Sequence, residues 1–287
     1  MARGRRVARH SVVRGPVQDL AATPKAFAPV GALRRVVVCC WALEGLDAEP
    51  LQDVPDGSVD LLFAFGERVE ATVIGVATRA RPASRPARCV LGATLFPGEA
   101  LPILGVPLHE LRDRIVPLGD LWTGTAALLD ELAEQRTAQA RAAVFQRVLA
   151  HRLERSRIGT SPRIRHGLRQ LSEWGGRLRI GALARSVGVS ERQLQRLFLE
   201  QTGLSPKEMA RVARLRVLLA HLAVDARADW AGLAYDFGFS DQAHLIHEFQ
   251  ALTGKSPQRY LGESDATTRQ LDASGFYPVS DFSNPRS

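Results

Sequence analysis

The chain repeats itself. The phrase "GVSERQLQRLFLEQTGLSP" at 188–206 returns as "GFSDQAHLIHEFQALTGKSP" at 238–257. The offset is 50 at Gly188/Gly238 and Ser190/Ser240. It is 51 at Leu194/Leu245, Phe198/Phe249, Thr202/Thr253, Gly203/Gly254 and Pro206/Pro257, so one residue is inserted between the anchors. A glycine, a cap serine, two apolar anchors and a Gly-x-Ser-Pro stop, kept in order, mark a duplicated supersecondary unit. Each copy must bury the same few side chains, so each must be the same small helical arrangement.

The physics of one copy is legible. In "RIGALARSVG" the residues Ile180, Leu183, Ala184 and Val187 recur at helical spacing, and Gly188 ends that helix. Ser190 is placed to cap the next helix, with Leu194, Leu197 and Phe198 as its buried stripe. Its opposite side carries Arg192, Gln193, Gln195 and Arg196. A short helix, a tight turn and a helix with an Arg/Gln outer side make a helix-turn-helix, whose second helix enters the DNA major groove. Arg reads guanine O6/N7 there, and Gln reads adenine N6/N7. In the second copy Trp230, Leu233, Ala234 and Phe237 support a helix capped by Ser240, with Leu245 and Phe249 buried. Its outer residues are Gln242, Ala243, His244 and His247, which bind phosphate more weakly than Arg at pH 7.

Between the copies, 205–224 reads as one long amphipathic helix, capped by Ser205 with Pro206 in its first turn. Met209, Val212, Leu215, Leu218, Leu219 and Leu222 can touch both units, so two reading helices could enter successive major grooves about 34 Å apart. Arg211, Arg214 and Arg216 are expected on or near its exposed side, where they meet phosphate or form a solvated face.

Charge is distributed to match. The 287 residues carry a net +8, but 21–160 is neutral while 161–260 holds fifteen basic against nine acidic groups. Within that block, 161–220 has twelve basic and four acidic residues, and 221–260 has three and five. That is the layout expected if only one domain faces phosphate, mainly through its first half. Only three of the 38 basic residues are Lys, a bias that suits phosphate and guanine recognition and that an Arg-rich genome also produces.

The first half has a different period. The runs at 33–45, 54–67, 69–80 and 87–97 read as strands separated by Gly, Pro, Asp and Arg, which suggests a small antiparallel barrel or sandwich. Asp120 is placed to cap a helix carrying Leu121, Ala126, Leu129 and Leu132, and a second helix spans about 138–154. Reaction chemistry is missing from the pattern. His109 is the sole histidine between His10 and His151, and there is no Gly-rich phosphate loop, nucleophile elbow or His-Glu-x-x-His. Asp56 and Asp60 flank a turn and a strand start, positions suited to turn formation. The adjacent Cys39 and Cys40 lack the spacer of a redox or zinc motif. No catalytic residue, metal or cofactor is therefore expected. Trp41, Phe63, Phe65 and Phe96 are candidates to line an internal ligand pocket, or are plain core aromatics.

With "ALARSVGVSERQLQRLFLEQTGLSP" and "LAYDFGFSDQAHLIHEFQALTGKSPQRYL" on the page, 164–262 resembles the DNA-binding domain of AraC/XylS-type transcription regulators. The resemblance implies seven short helices in two subdomains joined by a long helix. It places reading positions on Arg192, Gln195 and Arg196, and on Gln242, Ala243, His244 and His247. His247 stands where that family usually has Arg, so the second unit is expected to read weakly or to touch mainly the backbone. The segments "VPDGSVDLLFAFG", "GVATR" and "FPGEALPILGVPLHELRDRIVPLGDLW" resemble an N-terminal domain of undefined function found in one branch of the family. Similarity to cupin-like sensor domains is weaker.

The expected class is α+β: an antiparallel β-rich barrel or sandwich followed by an all-α domain with two helix-turn-helix units. The expected parts are a basic arm (1–29), a sensor or dimerisation domain (30–118), a helical connector (119–160), the DNA-binding domain (161–263) and a tail (264–287). The expected function is a cytoplasmic, sequence-specific transcription regulator acting on double-stranded promoter DNA. A small-molecule effector and a second copy of the chain are the further partners this allows. No apolar run approaches the ~20 residues that span a bilayer, and the basic N-terminus leads into no signal-peptide core, so no membrane partner is expected. The alternatives are a dimeric repressor that senses nothing and a DNA-linked enzyme such as a repair protein.

Overall fold

The computed structural model describes residues 25–44, 52–82, 89–225 and 229–263. Of the expected basic arm only 25–29 falls among them, and the tail 264–287 lies outside them.

The first half is a sheet domain. Its strands are β1 (Lys25–Phe27), β2 (Val37–Glu44), β3 (Gln52–Asp53), β4 (Val59–Phe65), β5 (Val69–Ile74), β6 (Arg81–Pro82), β7 (Cys89–Leu95) and β8 (Ile115–Pro117). Six of them form one antiparallel sheet in the order β1-β2-β7-β4-β5-β8, and β3 pairs β6 in a separate ribbon. The expected antiparallel β-rich domain is there, and among the described residues its sheet is not seen to close into the expected barrel or to stack as a sandwich. The edge strands β1 and β8 are three residues each and do not pair with one another, and a two-residue ribbon is no second layer. Strand β5 also stops at Ile74, short of the expected run to 80. At Gly75 the chain presses on the Leu111 carbonyl, where an added Cβ would lie 1.8 Å from the oxygen.

Alternation along the strands sorts the side chains. Cys40, Ala42, Leu61, Phe63, Ala71, Val73, Leu91 and Ala93 point to one side and are buried there. That side is covered by the helices α2 (Thr125–Glu134) and α3 (Ala138–Arg155), after a short α1 (Leu101–Leu104). Phe145 of α3 meets Phe63 edge-on with centroids 4.7 Å apart. Thr137 caps α3 by accepting from the Ala140 amide. The cap expected at Asp120 is displaced: α2 starts after Gly124, whose φ of +78° turns the chain, and Asp120 sits in the 3-10 turn Leu118–Asp120.

The second half is helical: α4 (Pro162–Glu173), α5 (Ile180–Ser186), α6 (Glu191–Thr202), α7 (Pro206–Val224), α8 (Trp230–Asp236), α9 (Gln242–Thr253) and α10 (Pro257–Glu263). The apolar stripes expected from periodicity are buried, with Leu183, Ala184, Leu194 and Phe198 in one cluster and Leu233, Ala234, Leu245 and Phe249 in another. The first cluster is continuous with the sheet's core and runs from Leu33 through α4, α5 and α6 to Ala213 on α7. The second begins at Leu215 and takes in Val54 from the sheet domain.

Polar contacts fasten the halves as well. Arg112 holds Glu208 through two hydrogen bonds of 2.5 and 3.2 Å, and Arg165 holds the buried Glu99 carboxylate at 2.5 and 3.0 Å. Thr160 donates to the same carboxylate, and the Ala80 amide donates to the Leu252 carbonyl at the end of α9.

Candidate nucleic-acid interface

Local sequence fixes the start of α6. Ser190 accepts from the Gln193 amide, and the Gln193 side chain accepts in return from the Ser190 amide, a complete capping box. Gly203 ends the helix at φ +74°. With Leu194 and Phe198 fully buried, Arg192, Gln195 and Arg196 emerge on the opposite, exposed side. Neither Arg192 nor Arg196 has a hydrogen-bond or ion-pair partner among the described residues. The structure therefore brings three of the four expected reading residues together and ties the fourth, Gln193, to the cap.

The second copy shows what the inserted residue does. Asp241, not the expected Ser240, caps α9, accepting from the His244 amide at 2.8 Å. That bond, first among several, holds the Asp241 carboxyl below its usual range. Helices α6 and α9 are offset by 51 throughout, so Asp241 is the counterpart of Ser190, and the insertion falls just before it. His244 is then the counterpart of Gln193 and plays a similar part. Its Nδ1 accepts from the Ser240 amide at 3.2 Å, and its ring lies edge-on to Phe239. Gln242, Ala243 and His247 remain exposed on the outer side, with no Arg among them.

Of the three arginines of α7, Arg216 is buried rather than on the expected exposed side, while Arg211 and Arg214 are partly exposed but engaged by neighbours. Arg211 pairs with Glu248 of α9 at 2.5 Å. Arg214 donates to the Gly176 carbonyl and lies over the Phe239 ring, and burial lowers its pKa. Arg216 is buried. Helix α7 is packed by the sheet domain and by both helix pairs, so it has no broad exposed side on which to present guanidinium groups to phosphate.

The four aromatics expected to share a pocket are divided by the sheet. Trp41 pairs with Gly92 and lies across it, where an added Cβ would be 2.4 Å from the indole. Phe63 and Phe65 point to the other side, under Phe145 and the Arg141 guanidinium. Phe96 is partly buried just beyond β7, its amide bonded to the Val36 carbonyl. On the Trp41 side, the indole Nε1 donates to Thr94 Oγ1, which donates to Asp60 Oδ1. Burial, chiefly, pushes the thiols of Cys39 and Cys40 up to about 11 and about 12, so both stay protonated at neutral pH. Among the described residues no three His, Cys, Asp or Glu gather as a metal site, and no helix is long and apolar enough to cross a membrane.

Residues 183–263 match a helix-turn-helix domain family, and 25–117 match a domain of unknown function, DUF6597. The Msm operon regulatory protein of Streptococcus mutans is 25% identical over 158 residues, 55% of this chain and 50% of that protein. The chain thus spans about half the length of the curated relative it matches. Among solved structures, the C-terminal domain of AraT, a response regulator from Geobacillus stearothermophilus, has 21% identity and a TM-score of 0.34, covering 36% of this chain and 87% of that one. ToxT from Vibrio cholerae O395 has 10% identity and a TM-score of 0.39, covering 83% and 97%.

Fold and matched domains define a helix-turn-helix protein with an antiparallel sheet domain in front of its helices.

Proposed function

We propose that the protein is a sequence-specific DNA-binding transcription regulator acting in the cytoplasm. In this reading α5–α6 and α8–α9 are two helix-turn-helix units within 161–263, the sheet domain within 30–118 senses a small molecule or dimerises, and 119–160 connects them. The observation that carries it is the outer side of α6, a doubly capped helix presenting Arg192, Gln195 and Arg196 with neither arginine engaged elsewhere. The second unit is the weaker reader, since Gln242, Ala243 and His247 offer no permanent charge and His244 is tied to its own cap.

The test is selection of binding duplexes from a random pool, followed by titration of the full chain in moderate salt. Arg196→Ala should cost about 1–3 kcal/mol at one base position and relax preference there. Unchanged sequence-specific binding by that variant would remove α6 as the reading helix. Sensing by the sheet domain is tested separately: a metabolite that binds it must raise its melting temperature or shift DNA affinity.

A further inference from the structure

The outer stripe of α6 does not end in solvent. On a helix whose buried side is set by Leu194 and Phe198, residues 192, 196, 199 and 203 follow one another along the opposite side. At Gly203 that stripe runs into the sheet domain: an added Cβ would lie 2.4 Å from Val76 Cγ1 and 2.8 Å from the Leu108 carbonyl oxygen. The 3-10 segment Leu108–Leu111 therefore stands as a wall at the C-terminal end of the reading stripe. Wall and stripe border an open corner of about 580 Å³, lined by Arg192, Gln195, Arg196, Leu199 and Glu200 of α6 and by Pro107 and His109 of the wall.

Dimensions put a DNA strand in that corner. A major groove is about 8.5 Å deep and a helix rises 1.5 Å per residue, so a helix entering by its N-terminus sinks roughly its first six residues below the rim. Counted from Glu191, these include Arg192, Gln195 and Arg196, and they leave Leu199 and the wall just outside the rim, on the side of the phosphates. Arg192 and Arg196, without an ion-pair partner among the described residues, face the corner against one lining carboxylate, Glu200, with Glu110 exposed on the wall beside His109. His109 is exposed on the wall.

We infer that the sheet domain is part of the DNA interface, the corner seating one sugar–phosphate strand with His109 donating a hydrogen bond to it, an inference that rests on α6 being the reading helix. The domain expected to sense or dimerise then also adds to the footprint, through a contact that carries no base preference.

Full-length wild type, His109→Ala, His109→Glu and Arg196→Ala are titrated against the selected duplex and against single-base variants of it. His109→Ala should weaken binding to every duplex alike, by roughly 3–10-fold, and His109→Glu should weaken it further. Ethylating the contacted phosphate should impair wild type but not His109→Ala, a coupling that a merely destabilised protein would not show. Wild-type affinity in both His109 variants, or no phosphate whose ethylation distinguishes wild type from His109→Ala, overturns the inference. Tighter binding overturns it too, and makes the wall an obstruction to DNA. If Arg196→Ala is also without effect, the fault lies with α6 as reader. If Arg196→Ala alone relaxes specificity, only the contact from His109 falls.

Discussion

Two glycines with nearly the same backbone separate two energetic terms. Gly188 and Gly203 follow α5 and α6 at φ +69° and +74°, so an alanine at either must adopt a left-handed conformation. That conformation costs roughly 1–2 kcal/mol for an L-residue. At Gly188 nothing lies within 4 Å of the added Cβ, and the backbone term stands alone. At Gly203 the Cβ also meets Val76 Cγ1 at 2.4 Å and the Leu108 carbonyl oxygen at 2.8 Å. Val76 is fully buried and the carbonyl is backbone, so neither swings aside, and overpacking of this kind adds about 1–3 kcal/mol. Gly203→Ala should therefore destabilise by roughly 2–5 kcal/mol, and Gly188→Ala by only about 1–2 kcal/mol. Urea unfolding of the full chain, followed by tryptophan fluorescence and far-ultraviolet circular dichroism, gives both values if the slopes agree. Equal destabilisation would mean that the sheet domain is not seated on α6 in solution, and the wall beside the reading stripe would go with it.

Two further substitutions test polar groups under the same interface. Burial pushes the Glu208 carboxyl up, but hydrogen bonds from Ser205 and Arg112 outweigh it and hold the group below the usual carboxylate range. Its contribution is thus present above the unfolded carboxylate pKa and disappears as pH falls through the lowered folded value. The stability gap between wild type and Glu208→Gln should be open at pH 7 and close in acid, and a gap independent of pH would contradict the pairing. Arg216 is 4% exposed, and its Nε and Nη2 have no hydrogen-bond partner among the described residues. Arg216→Met keeps the stem and removes a poorly solvated charge, so it should leave the melting temperature unchanged or raise it. A marked fall would mean that the guanidinium is satisfied by a group not yet seen.

Local pattern carried the helical half and its outer residues. Apolar spacing located the stripes of α5, α6, α8 and α9, and Ser190, Ser205, Gly203 and Gly254 marked their ends, because caps and stops are decided within four residues of themselves. The insertion between the copies was visible as a change of offset, but which of Ser240 and Asp241 caps α9 depends on where the turn absorbs it. What failed was whatever depends on partners distant in sequence. Periodicity gives the sides of α7 as an isolated helix, whereas Arg216 is buried by packed neighbours and Arg211 is drawn into a pair with Glu248. The four longer strands were found, but not the short β1, β3, β6 and β8 or the pairing, and the pairing alone sends Trp41 and Phe63 to opposite sides of the sheet. Arg112 and Glu208 are 96 residues apart, and nothing near either announces the other.

The folded units do not coincide with the duplicated ones. Both helix pairs descend from one phrase, yet the first shares a core with the sheet domain and the second has its own, the division falling on α7 between Ala213 and Leu215. Across that division lie α7 itself, the Arg211–Glu248 pair, Val54, the Arg177 bond to the Asp236 carbonyl, the Arg214 contacts to Gly176 and Phe239, and, among the described residues, one backbone bond from Ala80 to Leu252. The first pair, seated on the sheet domain by Gly203 and flanked by α4 and α7, which Glu99–Arg165 and Arg112–Glu208 fasten to that domain, cannot shift without opening the larger core. The second can move by breaking a few contacts, which places its local opening at lower free energy. Rigidity thus falls on the unit whose outer side carries the arginines, and freedom on the unit whose outer side is nearly uncharged. In the proposed reading, α6 sets the register on DNA and α9 adjusts to it.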